Sequence, residues 1–157
     1  MAVRQRLTEW SRGDCLAGFW RLYRLHARAK NRLVSDVLGF LMARSARRHG
    51  GYVGRGAVVE GEPSLPHGLH GVYISRYARV GRDCRIYQNV TIGEVGGRAP
   101  RIGRRCLIGA GAVLVGGITV GDGAKIGAGA VVSRDVPPGC TVVAQPPRVL
   151  CGGQRDV

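Results

Sequence analysis

Two periods divide this chain. Up to about Arg48, apolar residues recur three to four positions apart: Leu16, Phe19, Trp20 and Tyr23, then Leu33, Val37, Leu38, Leu41 and Met42. That spacing predicts helices from about Trp10 to Arg48. Ser35 or Asp36 stands where the second helix could start, and Gly50-Gly51 where it would stop. Arg21, Arg24, Arg28, Arg44 and Arg47 fill the other faces. They read either as a solvated basic face or as a surface for an acidic partner or a membrane.

After Gly51 the helical period gives way to a period of six. Aliphatic residues stand at Ile74, Val80, Ile86 and Ile92, and again at Ile102, Ile108, Leu114, Val120, Ile126 and Val132. A glycine often follows at once, as in Val80-Gly81, Ile108-Gly109 and Ile126-Gly127, and a small residue stands four places on, as in Ala78, Cys84, Cys106, Ala112, Ala124 and Ala130. Six is even, so a strand keeps every sixth residue on one face. A short strand and a turn per six residues give a polygonal coil with its aliphatics inward, the glycine permitting the corner. One coil cannot bury its own interior, so stacking closes the core.

Composition agrees with this reading. Glycine accounts for 26 of the 157 residues, while aromatics make up 6%. That profile excludes a helical bundle and an immunoglobulin-like sandwich. The net charge is +14, of which residues 1–50, with eleven basic and three acidic residues, carry +8. Such an excess favours anionic partners. Five cysteines at 15, 84, 106, 140 and 151, without a CxxC pair, argue against a disulfide framework and a zinc knuckle. Cys84 and Cys106 fill small-residue slots and read as packing groups. The first residues hold no apolar run of the signal-peptide kind and no stretch is long enough to span a bilayer, so a reduced cytoplasmic setting is expected.

The segments IGRRCLIGAGAVLVGGITVGDGAKIGAGAVV and VGRDCRIYQNVTIG resemble the hexapeptide-repeat acyltransferases, and AQPPRVL resembles the turn that closes their coil. Within that family, LPHGLHGVYIS followed by IYQNVTIG is most similar to serine acetyltransferases and to the O-acetyltransferases of polysaccharide clusters. The resemblance implies a mainly β fold: a left-handed parallel β-helix over 51–150, preceded by a short basic helical segment over 1–50 and followed by a tail over 151–157. It also implies a homotrimer.

The six-residue period breaks once, and a second irregular place stands just before it begins. Ile92 to Ile102 spans ten residues, so four are inserted around Glu94–Pro100. An insertion in a regular coil must bulge outward, and loops on rigid scaffolds are where function concentrates. The second irregular place is Pro66-His67-Gly68-Leu69-His70-Gly71, which holds two of the four histidines. Histidine is the natural base for taking a proton from a hydroxyl near neutral pH, and the oxyanion then formed on a thioester carbonyl needs a backbone N–H donor. His26 and His49, in the helical part, read as structural.

The resemblance assigns roles. His67 matches the family's catalytic histidine best, with His70 the rival and a possible acceptor-binding residue; one additional residue precedes Gly71. Arg98 matches an acceptor-binding arginine. Ala110 and Ala128 match residues whose amides hold the pantetheine arm of acetyl-CoA, and Lys125 and Arg148 match cations near its phosphates. The pattern also departs from serine acetyltransferases: Pro66 replaces an aspartate beside the histidine, and Ala99 replaces a histidine after the arginine. Serine and a sugar or glycoside hydroxyl therefore both stand as acceptors. Direct transfer is expected, since no cysteine has a base beside it in sequence, and no metal or nucleic-acid motif appears. The competing reading is a non-catalytic β-helix serving as an assembly or binding module.

Overall fold

The computed structural model describes residues 16–146. Among the described residues two helices come first, α1 (Ala17–Arg28) and α2 (Arg32–Arg48). The second starts earlier than Ser35 or Asp36. Asn31 caps it, its side chain accepting from the amides of Leu33 and Val34 at 2.9 and 3.4 Å, which satisfies two of the first-turn donors. Helix α1 buries Phe19, Trp20 and Tyr23. Helix α2 buries Gly39, Met42 and Ala46, so that Met42 alone of the apolar stripe the spacing suggests is fully buried and Leu38 is half-buried. Leu33, Val37 and Leu41 stay exposed. Their spacing is helical, but the coil takes the side of α2 that carries small residues, because small residues let a helix approach closely.

Thirteen short strands follow, β1 (Tyr52–Val53) through β13 (Thr141–Val142). All their pairings are parallel, and they form three sheets. The first sheet has the order β1-β3-β6-β9-β12, the second β10-β7-β4-β2, the third β13-β11-β8-β5. From β3 to β12 consecutive strands go to successive sheets and every third strand returns to the same one; at the two ends the isolated bridges Ser64 to Arg85 and Val136 to Val120 stand where a strand is skipped. This is a three-sided, left-handed parallel β-helix with two helices before it.

The six-residue ladder is its core. Ile74, Val80, Ile86, Ile92, Ile102, Ile108, Leu114, Val120, Ile126 and Val132 are all buried. Register keeps like on like: Ile74 on Ile92 on Leu114 on Val132 along the first sheet, and Ile86 on Ile108 on Ile126 along the third. Burying each such side chain contributes roughly 1.5–3 kcal/mol. Cys84 and Cys106 lie in the same interior, their sulfurs against the carbonyls of Gly103 and Gly121 at 3.1 and 3.2 Å. The neighbouring Cys106 sulfur and burial push the Cys84 thiol far above its ordinary value. Both cysteines pack; neither is placed as a nucleophile.

The glycine after each aliphatic works differently from the corner role the sequence suggests. A Cβ on Gly81, Gly103, Gly109 or Gly121 would stand 2.4–2.8 Å from atoms of the next coil. Close stacking, then, excludes a side chain there. The left-handed corner position comes two residues later and is held by Asp83, Asn89, Arg105, Gly111, Gly123 and Gly129.

Candidate active site

The three edges of the prism differ in chemistry. The edge between the third and first sheets carries the corners Leu65–Val72, Tyr87–Val90, Gly109–Ala112 and Gly127–Ala130. The regular corners repeat a hydrogen-bond pattern: Gly111 N donates to Gln88 O at 3.0 Å and Gly129 N to Ala110 O at 2.9 Å. Among the described residues, the amides of Ala110 and Ala128 donate to no backbone carbonyl outside the strands. At the edge between the second and third sheets the equivalent amide of Arg104 is capped by the Asp122 carboxylate at 2.8 Å. The Ala110 and Ala128 corners thus form a column of small residues with amides that a ligand can use.

His67 belongs to the same edge. Its loop runs from Ser64, which bridges Arg85, to Tyr73 on β3, three residues longer than the step from Arg85 to Thr91. The excess is folded into two turns, Gly68 N to Leu65 O at 3.0 Å and Val72 N to Leu69 O at 2.9 Å. Leu69 and Val72 are buried and anchor the loop, while His67 is exposed. The His67 ring lies 6.1 Å from the Tyr87 ring of the next coil. His70 takes a different direction. Its Nδ1 is 3.4 Å from the position a Cβ on Gly50 would occupy, at the end of α2. Its carbonyl accepts from the Asn89 amide at 2.9 Å. The structure therefore groups His67, Tyr87, Ala110 and Ala128 on one edge and turns the His70 ring toward the helices.

Arg98 is elsewhere. The insertion folds as a two-residue β-hairpin in which Val95 and Arg98 exchange backbone bonds at 2.9 and 3.1 Å. Gly96 and Gly97 sit at its tip with φ of 58° and 74°, the left-handed pair that a type I′ turn demands. The Arg98 stem lies against Gly117, its Cβ 3.1 Å from where a Cβ there would be. This hairpin occupies the edge between the first and second sheets. Within one chain, the first sheet separates it from the His67 edge: Val90 to Glu94 is four steps of about 3.3 Å, or about 13 Å.

Lys125 is exposed on β11, two residues before Gly127 on the His67 edge, in the outward row with Arg85 and Thr141. Arg148 lies outside the described residues. The outward rows differ in charge. Arg79 and Arg101 pair across the second sheet, and Arg85 and Lys125 share the third. The first sheet presents Tyr52, Tyr73, Thr91, Val113 and Val131 in register, with no charge. Tyr52 and Tyr73 stack with ring centroids 5.0 Å apart.

Two residues of this region escaped the sequence reading. Ser75 is fully buried and donates from its hydroxyl to the Glu94 carboxylate, tying the base of the hairpin to the preceding coil. Gln88, beside Tyr87, holds a buried side-chain oxygen without a hydrogen-bond partner among the described residues. Such atoms are rare in folded proteins and call for a partner, which a water or a ligand can supply. A polar residue at a corner where its neighbours are alanines was the available signal for Gln88; Ser75 had none, since its partner is nineteen residues away. Among the described residues, no three His, Cys, Asp or Glu side chains converge as metal ligands would.

Residues 99–134 match the family model described as bacterial transferase hexapeptide (six repeats). A serine acetyltransferase of Helicobacter pylori is 37% identical over 128 residues, covering 79% of this chain and 68% of that protein. One from Synechococcus elongatus is 47% identical over 90 residues, covering 55% of this chain and 36% of that protein. The solved serine acetyltransferase of Neisseria gonorrhoeae in complex with serine superposes with a TM-score of 0.73 at 34% identity, covering 82% of this chain and 54% of that one. The chain spans less than half the length of several curated relatives it matches, 36% of the Synechococcus protein and 48% of one from Bacillus subtilis.

Proposed function

The chain belongs to the hexapeptide-repeat acyltransferases, and we propose that it moves an acetyl group from acetyl-CoA to a hydroxyl of a small acceptor. The observation that carries this reading is the placement of His67 on the same edge as the Ala110 and Ala128 amides. A base and a column of free donors on one edge is the minimum that acyl transfer from a long, anionic thioester needs.

His67 takes the acceptor's proton on a ring nitrogen as the acceptor oxygen attacks the thioester carbon. A backbone N–H near the edge stabilises the tetrahedral oxyanion. Collapse breaks the carbon–sulfur bond, and the imidazolium returns its proton to the departing thiolate, so coenzyme A leaves as the free thiol. Ala110 and Ala128 hold the pantetheine arm, while Lys125 and Arg148 attract the phosphates. Transfer is direct: Cys84 and Cys106 are buried in the coil, and the exposed Cys140 stands just before β13, on the edge between the second and third sheets and not on the His67 edge.

Arg98 holds the acceptor, which requires a second copy of the chain. The separation of Arg98 from His67 supports this, since a neighbouring copy can bring its hairpin to the His67 edge. So does the uncharged outward row of the first sheet, the face of the prism that can be buried without stranding a charge. The proposed assembly is a homotrimer, and the proposed location is the cytoplasm. The names of the relatives favour serine as acceptor, and Arg98 suits its carboxylate. Pro66 and Ala99 favour a sugar or glycoside, which needs no carboxylate clamp.

The deciding experiment measures thiol release from acetyl-CoA with L-serine and with a panel of sugars and glycosides, for the natural chain and for His67→Ala. Release that depends on an acceptor and disappears in the variant supports the reading. Tight assembly with no release for any acceptor would leave the non-catalytic module standing.

A further inference from the structure

We propose that the outward face of α2 docks on an anionic lipid surface. The face is built from residues 33, 37, 40, 41, 44 and 48, which helical spacing sets on one side of α2, opposite the buried Gly39, Met42 and Ala46. Leu33, Val37 and Phe40 are 76%, 60% and 65% exposed, and Val34 and Leu41 are exposed beside them. This is a contiguous apolar patch on a helix whose core-facing side is already satisfied, and such patches mark interaction sites.

Charge identifies the partner. From Arg28 to Arg48 the chain carries Arg28, Lys30, Arg32, Arg44, Arg47 and Arg48 against the single acid Asp36. Asp36 is engaged by Arg55 at 2.6 Å. Along α2 the exposed apolar residues run from Leu33 to Leu41, and three of its four guanidiniums, those of Arg44, Arg47 and Arg48, follow them in the last turns, with Arg32 at the start. Phe40, Ala43, Arg44, Arg47 and Arg48 line a concavity of about 420 Å³ where the two zones meet. Apolar side chains that enter hydrocarbon, next to arginines at headgroup level, are the signature of a helix lying in the plane of a membrane surface. The helix does not cross the bilayer; among the described residues none is long and apolar enough.

A second copy is a poorer occupant. Apposing two such faces sets the arginine turns either on each other or on the apolar turns, and neither arrangement supplies a counter-charge. A leaflet containing anionic lipid supplies hydrocarbon and phosphate together.

The test is flotation of the full chain with vesicles of phosphatidylcholine alone and of phosphatidylcholine doped with phosphatidylglycerol. Two variants are compared, Val37→Ser with Phe40→Ser, and Arg44→Gln with Arg47→Gln and Arg48→Gln. Circular dichroism and gel filtration check that both fold and assemble as the natural chain does. The expected result is binding to the doped vesicles only, weakened by salt. The arginine variant loses affinity roughly a hundredfold, since each basic residue near the surface contributes about fivefold, and the serine variant is weakened as well. Three results would overturn the proposal: no preference for the doped vesicles, full binding by the serine variant, or a change of oligomeric state in the serine variant. The last would mean that another copy covers the face. An acidic protein as the true partner would appear as the first of these results.

Discussion

The Tyr23 hydroxyl accepts a hydrogen bond from the Val59 amide at 2.8 Å and donates one to the Ala57 carbonyl at 2.9 Å. Val59 lies on β2, the terminal strand of the second sheet. A terminal strand presents unpaired backbone groups that invite another chain. One side chain from α1 takes up two of these groups, and its burial raises the phenol above its ordinary value. The helices thereby close the open end of the coil.

Tyr23→Phe keeps the ring packing with Trp20 (centroids 5.6 Å apart) but strands the Val59 amide and the Ala57 carbonyl. The expected cost is about 1–3 kcal/mol, read as a lower urea midpoint with an unchanged slope. A midpoint equal to that of the natural chain would show that water replaces the hydroxyl and that α1 does not close the edge.

His67→Ala is expected to lower kcat for thiol release by about a hundredfold to ten-thousandfold with little change in KM. His70→Ala should retain most of the rate, because its ring faces the end of α2. Equal losses in the two variants would mean that the loop is rearranged in the assembled enzyme.

Gly109→Ala and Gly111→Ala separate stacking from corner strain. At Gly109 a Cβ would stand 2.6 Å from the Ala128 amide nitrogen and 2.8 Å from the Gly127 carbonyl carbon. Both are backbone, so the coils must part at the proposed pantetheine column. At Gly111 the space is open and only the left-handed φ of 68° is opposed, a cost of about 1–2 kcal/mol. Thermal unfolding and the KM for acetyl-CoA should both suffer more in Gly109→Ala. Equal thermal shifts would show that the coil spacing adapts.

Burial and the nearby Arg55 hold His26 below its ordinary value, with Asp36 opposing them. As pH falls past about 6.5, the unfolded chain binds this proton before the folded one does. Stability is therefore complete above that pH and declines below it, and His26→Gln should flatten the decline. Urea midpoints measured between about pH 8 and pH 5 decide the matter. Identical slopes for the two chains would assign the acid sensitivity to other groups.

The six-residue aliphatic period, by itself, determined a polygonal coil and its core; that the coil has three sides and is left-handed came from the family resemblance, and the three sheets bear the three sides out. Each of the ten aliphatics is buried, because an even period on a strand admits only one facing. The one break in that period located the Glu94–Pro100 hairpin, because a closed, stacked coil has room for extra residues only outside; the His67 corner, just before the period begins, was marked by its two histidines. Helix spacing was legible too, but the buried side of α2 was not. Leu33 and Gly39 compete for the coil, and the contact goes to the side that packs closest, which no one-dimensional pattern ranks. Only the tertiary structure decided that His67 shares an edge with Ala110 and Ala128 while Arg98 stands at another. Which corners align depends on how many residues each turn consumes before the chain returns to the same sheet. The links from Tyr23 to Val59 and from Ser75 to Glu94 were likewise invisible, since each joins residues that only the closed coil brings together.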